Sequence, residues 1–394
     1  MRDLSVAVAG AGIGGLAAAL TLARSGQRVT VVERRTGFTE LGAGLQLSPN
    51  ASRLLVDLGL GPALRRMAGE PDRVVVRSLR SGRMIGAVAL GSFMRERFGA
   101  PYWVVQRSDL QTVLLDAVRS EPAIRLAVGR EVEGARDGAD GVSLRLGTSR
   151  GEETLATDLA VGADGVWSKL RASLGDTRAP AFRGAVAWRA TMERAEAPPE
   201  LSGNETGLWL GPAGHVVHYP IAGGRLLNVV AIERRDRPVE GWSAPGRRED
   251  LLARLAGAAP LLRALLEKPP AWLLWSLYDL PARTMARGRI ALIGDAAHPI
   301  LPFLAQGAAL AVEDAAMLAG ALSRFASVPE ALKAYEAYRL PRAREVQRQA
   351  RRNGRIYHAG SLVAFARDRV MRHLGPEGMT ERYAWLYGWR GGAA

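Results

Sequence analysis

The chain contains no cysteine. That excludes disulfides, iron–sulfur clusters, thiolate zinc sites and cysteine nucleophiles together, and it fits an intracellular protein. Histidine is nearly as scarce. The five present (His215, His218, His298, His358 and His373) include no helix-spaced pair of the HExxH kind, so a protein-held metal is not expected. Acidic residues are outnumbered, 39 against 53 Lys plus Arg, which gives a formal charge of +14. Such an excess raises nucleic acid as a partner. The basic residues are almost all Arg, however, spread along the chain with no basic tail and no aromatic-interleaved cluster. This favours attraction for anionic small molecules over a nucleic-acid role. Long charge-free runs are also lacking. The one candidate, residues 4–23, carries Gly10, Gly12, Gly14 and Gly15 in its middle, where a membrane span would lose helix stability. Neither a span nor a signal peptide is expected, and the protein should be cytoplasmic.

What remains is an ordinary globular composition, 48% apolar and 23% charged over 394 residues, enough for two domains with a shared core. The opening "LSVAVAGAGIGGLAAALTLARSGQRVTVVERR" reads as a strand, a glycine turn, a helix ending at Ser25-Gly26 and a second strand closing on Glu33: one right-handed βαβ unit. Ser48 and Pro49 start a short helix that stops at Gly59. Residues 71–101 read as short strands with glycine turns, and a Ser108-x-x-Gln111 capping box opens the next helix. Strand-like runs follow at 125–132, 142–146 and 159–161. From 179 to 271 alternation dominates, with a hairpin in "HVVHYPIAGGRLLNVVAIE" and one helical insert at 247–267. The chain after about residue 328 is helical, interrupted at Pro341.

Gly10-x-Gly12-x-x-Gly15 lies between the first strand and helix, with Glu33 about twenty residues further on. The first glycine makes the tight turn, the second lets the backbone approach a pyrophosphate, and the third lets helix and strand pack closely. Glu33, with Arg34 beside it, would accept hydrogen bonds from a ribose diol, which favours FAD or NAD over a 2′-phosphorylated nucleotide. Three further stretches narrow the choice. "QRSDL" supplies Arg107, "GADGVWSKLR" supplies Asp164, Gly165, Ser168 and Arg171, and "ALIGDAAHPILPFLAQGAAL" supplies Asp295, His298, Pro302, Gly307 and Ala308. Taken singly, each has a plainer explanation: Asp164 as a turn residue, Asp295 as a helix cap, Arg107 as a surface ion-pair partner.

Together and in this order, from the glycine turn to "YAWLYGWR" at 383–390, these motifs resemble the class A flavoprotein aromatic hydroxylases, the group of para-hydroxybenzoate hydroxylase. The likeness is greatest to the salicylate-hydroxylase-like branch. The resemblance implies an α/β fold: a Rossmann-type FAD-binding domain from residues 1–70, 101–178 and 281–330, a β-sheet substrate domain from 71–100 and 179–280, and a C-terminal helical region at 331–394. It also implies bound FAD, NADH or NADPH as co-substrate, and O2. By the same resemblance, oxygen would add at flavin C4a and the hydroperoxide would hydroxylate a phenolic or heteroaromatic acid of the salicylate, hydroxybenzoate or hydroxynicotinate kind. No metal takes part, and a monomer or homodimer is expected.

Carried onto this chain, Arg107 would bind the ribityl–pyrophosphate region, Asp164-Gly165 would serve FAD and NAD(P)H, and Asp295 would bind the ribityl hydroxyls. The helix starting at Gly307-Ala308 would offer its N–H groups to the flavin pyrimidine edge, where negative charge gathers on reduction. In the strand "GHVVHYP", His215 and Tyr219 share a face and are expected to converge on a substrate hydroxyl, with His215 as base and His218 as its competitor if the register is reversed. His298 would shape the flavin turn or be purely structural, and His358 and His373 have no assigned role. Pro302 and Phe303 would line the ring pocket. Phe303 and Leu304 stand where several branch members carry a polar substrate-binding side chain, so a close match to hydroxylases of 3-hydroxybenzoate or 6-hydroxynicotinate is not expected and a more apolar ring pocket is. Arg189, or else Arg83, would meet a substrate carboxylate. Other flavin oxidoreductases share the scaffold, namely dehydrogenases, reductases and halogenases; the W-x-W-x-I-P stretch of halogenases is absent.

Overall fold

The computed structural model describes residues 3–38, 44–241 and 243–391. Its first layer is a six-stranded sheet in the order Ala286–Arg287, Ile290–Leu292, Leu159–Gly162, Ser5–Ala9, Arg28–Glu33, Ile124–Val128. All neighbours are parallel except the Ala286–Arg287 edge strand. Parallel strands are covered on both faces, which is why they read as continuous apolar runs: Val6, Ala7, Val8 and Ala9 are all buried, as are Leu159, Ala160 and Val161. The helix Ile13–Arg24 crosses between the first two strands and is alanine-rich on its buried side. The helix Gly307–Arg324 packs against it closely enough that a Cβ on Gly14 would lie 3.1 Å from the Ala311 methyl.

Strand order places the site. Ser5–Ala9 pairs with Leu159–Gly162, which pairs with Ile290–Leu292, all in one direction. Their carboxyl ends deliver Gly10, Ala163-Asp164 and Ile293-Gly294-Asp295 side by side, where open α/β sheets bind nucleotides. Motifs far apart in the chain thereby become one crevice.

The second layer is an eight-stranded sheet in the order Ala244–Gly246, Trp272–Asp279, Ala181–Glu193, Leu226–Arg234, Gly214–Ile221, Thr206–Gly211, Arg73–Ser78, Met84–Ala89. Only the pairing of Thr206–Gly211 with Arg73–Ser78 is parallel. One face is closed by the helices Arg248–Arg254 and Pro260–Glu267 over Trp188, Trp209, Val216 and Leu274. The opposite face meets the first layer: Ala187, Ile232 and Trp275 pack with Leu301 and Phe303, and Tyr219 packs with Tyr102 and Leu310.

Several local expectations give way to tertiary structure. A helix, Gly91–Phe98, follows the expected strands of the 71–101 region. The 125–132 run divides at Gly129 into Ile124–Val128 of the first sheet and Arg130–Asp137 of a separate three-stranded sheet. The 247–267 insert is two helices, because Ala259, preceding Pro260, is held extended at φ −56°, ψ 146°. Pro341 interrupts nothing: Val328–Tyr357 is one helix. Tyr335, Arg339, Ala343 and Val346 are buried on both sides of the proline, and that packing outweighs the ~3 kcal/mol cost of an interior proline. The Ser108 capping box does not form, since Gln106 is the N-cap of Arg107–Arg119 and Gln111 is engaged elsewhere. Residues 4–23 form strand, turn and helix, and no helix among the described residues is long and apolar enough to cross a membrane.

Candidate active site

The glycine turn is a steric necessity at two points. Gly10 has φ +101°, and a Cβ there would lie 2.5 Å from the Ala163 carbonyl oxygen; one on Gly15 would lie 1.9 Å from the Gly10 oxygen. Gly12 is different in kind. A Cβ on it would meet nothing within 4 Å among the described residues, so its backbone borders space that they leave open at the start of the helix Ile13–Arg24. The turn is braced from two sides: Glu33 Oε2 accepts from the Ala11 N–H at 2.8 Å, and Gln111 Nε2 donates to the Ala11 carbonyl at 3.0 Å. Glu33 Oε1 accepts from the Arg35 N–H at 2.9 Å. Arg34 points to the surface, its side chain 71% exposed and 4.0 Å from Glu131.

Asp164 does two things. Its Oδ2 accepts from the Lys169 and Leu170 N–H groups at 2.8 and 3.1 Å, holding the short helix Leu170–Ser173, while its buried Oδ1 has no partner among the described residues. Such an orphaned acceptor is costly unless a ligand donor or water meets it. Beside it, Arg171 is buried and donates to Val166 O at 2.8 Å and to Ala296 O at 3.1 Å, which locks the Asp164 turn to the Asp295 turn. Asp295 is exposed to solvent by surface area yet ringed by protein, as a group on the floor of a cleft is. That enclosure raises its carboxyl pKa, against the opposing charges of His298 and Arg107. Arg107 is thus close enough for its charge to act on Asp295.

The turn after Asp295 is held by a buried ionic cluster. Asp314 Oδ2 accepts from the Gly294 N–H at 2.9 Å and lies 2.6 Å from His298 Nε2; its Oδ1 accepts from Arg339 Nε at 2.7 Å. Burial would raise the Asp314 carboxyl, but His298 and Arg339 outweigh it and hold the pKa down to about 2. Glu313 takes Arg339 Nη1 at 2.7 Å, Arg342 Nε at 2.6 Å and Asn50 Nδ2 at 2.6 Å. Asn50 also reaches Gln306 Oε1 at 3.0 Å, and Gln306 Nε2 donates to Ser48 Oγ at 2.9 Å. Gln306, the N-cap of Gly307–Arg324, is thus turned away from its own helix, which has neither a side-chain cap nor an acidic residue in its first turn. The N–H groups at Gly307 and Ala308 remain for an electron-rich partner. His298 is a structural member of this cluster.

On the second sheet His215, Val217 and Tyr219 share the face turned to the first layer, and His218 lies on the other, packed on Trp209. Its burial, with Arg77 near, lowers the His218 pKa to about 4. The reversed register that would make His218 the base is therefore not the one adopted. His215 and Tyr219 do not converge on one hydroxyl. They are four residues apart, about 13 Å along a strand, and sit in different clusters, so they flank a ring rather than share an oxygen. His215 packs on Phe303, centroids 5.5 Å apart, in the turn Pro302–Leu304. Arg189 pairs across Val230 with Val217, placing it on the same face about 10 Å away, its guanidinium over Trp275.

His358 closes the pocket from behind: its Nε2 lies 2.8 Å from His215 Nδ1, at the end of the helix Val328–Tyr357. No sequence pattern ties residues 143 apart in the chain. Gln111, Asn50 and Arg339 also escape sequence reasoning. Glu313-Asp314 had a readable signal, two acids inside an alanine-rich apolar helix.

Comparison with known proteins identifies the chemistry. The family described as FAD binding domain matches residues 3–350. The 3-hydroxybenzoate 6-hydroxylase of Klebsiella oxytoca is 36% identical over 392 residues, 97% of this chain and 96% of that protein. The structure of Klebsiella pneumoniae HpxO complexed with FAD and uric acid matches with TM-score 0.85 at 28% identity, over 98% of this chain and 96% of that one. A salicylate hydroxylase substrate complex matches with TM-score 0.83 at 28% identity, over 99% and 96%. The chain therefore belongs to the FAD binding domain family and is a class A FAD-dependent aromatic monooxygenase.

Proposed function

We propose that the protein hydroxylates an aromatic acid carrying a ring hydroxyl, a hydroxybenzoate-like molecule, with NADH or NADPH as electron donor. The observation that carries this reading is one sheet face: His215 packs on Phe303, Tyr219 clusters with Leu304, and Arg189 lies over Trp275, which itself packs with Phe303, in the turn that continues from Asp295. Similarity to a 3-hydroxybenzoate hydroxylase over nearly the whole chain runs against the expectation drawn from Phe303 and Leu304, and it supports the substrate class. Phe303 keeps the ring environment apolar, and Arg189 supplies the cation a carboxylate needs.

FAD fits the cleft. Gly12 leaves backbone free for a pyrophosphate, and Glu33 lies where a ribose diol would end. Arg107 and Asp295 would hold the ribityl–phosphate stretch, Asp164 Oδ1 would gain a donor, and the N–H groups of Gly307 and Ala308 would face the pyrimidine edge. Bound flavin supplies the redox chemistry, taking electrons from the nicotinamide and activating O2. The chain's own work is to hold the ring, exclude water and ionise the phenol. His215 is the base. Its pKa is lowered well below the ordinary imidazole range by burial and by His358, so the ring is neutral near pH 7 with a lone pair available, and it is a weaker base than an exposed imidazole, which makes onward passage of the proton necessary. Tyr219, whose burial pushes its pKa far up, stays protonated and donates a hydrogen bond from the other end of the ring.

A panel of hydroxybenzoates, aminohydroxybenzoates, hydroxynicotinate and urate, scored for stimulated NAD(P)H oxidation and for peroxide release, tests the assignment. The reading expects a hydroxybenzoate-type acid to stimulate oxidation with little peroxide. Coupled turnover of urate alone would replace the carboxylic acid with an anionic heteroaromatic that has no carboxylate.

A further inference from the structure

His215 is not alone in its pocket. Its Nδ1 is 2.8 Å from His358 Nε2, the two rings are 5.1 Å apart by centroid, and Phe303 and Tyr357 enclose the pair. A hydrogen bond between two neutral imidazoles needs one N–H and one lone pair, so it couples the two tautomers: His215 Nδ1–H donates to His358 Nε2, or the reverse. The two rings come from different elements: the strand Gly214–Ile221 carries His215, and His358 is the residue at which the helix Val328–Tyr357 ends. His358 lies under the surface beside the exposed Arg234 of the strand Leu226–Arg234. Tyr357 from the helix faces His215, and Arg367 from Ser361–Glu381 donates to the Ile356 carbonyl at 3.1 Å. No carboxylate is hydrogen-bonded to either imidazole among the described residues. The pair therefore has nothing to stabilise a lasting positive charge, and Arg234 opposes one on His358.

We propose that His358 is the positioning and proton-relay partner of His215, fixing the His215 proton on Nδ1 so that Nε2 is free to take the substrate's phenolic proton, and carrying that proton outward. The proposal rests on the reading of His215 as base. The step balances without a redox change. The substrate O–H bond breaks and an N–H bond forms at His215 Nε2, leaving a phenolate. The His215 Nδ1–H then passes to His358 Nε2, and the proton on His358 Nδ1 leaves to water. Both rings return to neutrality with their tautomers exchanged, and reset when the proton path runs back or the rings re-equilibrate with solvent. With no carboxylate hydrogen-bonded to either ring among the described residues, the pair suits a relay rather than a proton store, because neither imidazolium persists.

Histidine-¹⁵N labelling of the FAD-loaded protein reads the tautomers directly, with only five histidines to assign. The expected result is a His215 protonated at Nδ1 alone between pH 6 and 8. A wild-type His215 carrying its proton on Nε2 overturns the proposal without any variant. His358→Phe should lose the tautomer preference and cut hydroxylation of the best panel acid roughly tenfold or more at pH 7, with recovery above the phenol pKa. His358→Gln, which keeps an acceptor for Nδ1–H but cannot pass a proton on, should retain the tautomer and still lose rate. If both His358 variants match wild type across pH while His215→Ala is impaired, the relay is wrong and the base stands. If His215→Ala is also unimpaired, the base reading falls as well.

Discussion

Replacing Asp314 by Asn removes one charge and almost no volume from the cluster behind the flavin turn, and its cost follows from the bonds it makes. The carboxylate accepts from three donors: Gly294 N, His298 Nε2 and Arg339 Nε. An amide offers one oxygen and turns an NH2 toward a donor, so at least one buried donor goes unpaired. Arg339 is fully buried and loses one of its two carboxylates. Breaking a buried ion pair from one side costs about 3–5 kcal/mol. Linkage accounts for part of this: a carboxyl held at about 2 rather than near 4 contributes about 2.5 kcal/mol near neutrality. The rest is the unmade hydrogen bond. Because the native pKa is depressed, this stability is complete above about pH 4 and is lost as pH falls through about 2. Urea unfolding of the FAD-loaded protein, followed by tryptophan and flavin fluorescence, should show the midpoint lowered by roughly 1 M or more at a slope of about 3 kcal/mol/M. The variant's residual stability should also fall less steeply between pH 4 and 2. Asp250→Asn, at an exposed Arg247 pair, should leave the midpoint in place. An Asp314→Asn protein with wild-type midpoint and flavin content would refute the view that this carboxylate holds the Gly294–Asp295 turn.

Gly12→Val should fold with unchanged circular dichroism, since a Cβ at Gly12 meets nothing within 4 Å among the described residues, yet purify with little flavin; Gly10→Ala should instead fail to fold, its Cβ driven into the Ala163 carbonyl. Equal flavin content in Gly12→Val and wild type would remove the pyrophosphate from that turn. Glu33→Ala should weaken FAD retention by roughly tenfold, through loss of both the ribose acceptor and the brace on Ala11, measured by flavin released on dilution. His215→Ala should lower hydroxylation about a hundredfold or more at pH 7, with the deficit shrinking as pH rises toward the phenol pKa near 10. The sign follows from the burial-lowered pKa of His215, which keeps the wild-type base unprotonated through the neutral range. Parallel profiles for the two proteins would exclude it as the base.

Local signals carried the nucleotide half of the site. Gly10, Gly12, Gly15 and Glu33 follow from the steric and hydrogen-bonding needs of one turn, and the strand–helix–strand around them is short-range. The sequence also showed that His215 and Tyr219 share a face, but not that strand rise keeps them apart. What it withheld depends on which element packs on which. Gln111 read as half of a capping box, whereas its side chain is drawn across to Ala11 by the packing of its helix against Ile13–Arg24. Pro341 read as a break because local rules cannot weigh the buried Arg339 and Val346 around it. His358 had no assigned role because only the docking of the long helix under the second sheet sets it against His215.

The most direct measurement is single-turnover reaction of the FAD-loaded protein with NAD(P)H, the best acid of the panel and ¹⁸O2, followed by mass spectrometry of the aromatic product. One ¹⁸O atom on the ring per NAD(P)H consumed is the expected result. An unlabelled aromatic acid recovered alongside stoichiometric labelled hydrogen peroxide would contradict hydroxylation, leaving an enzyme that oxidises reduced nicotinamide without touching the ring.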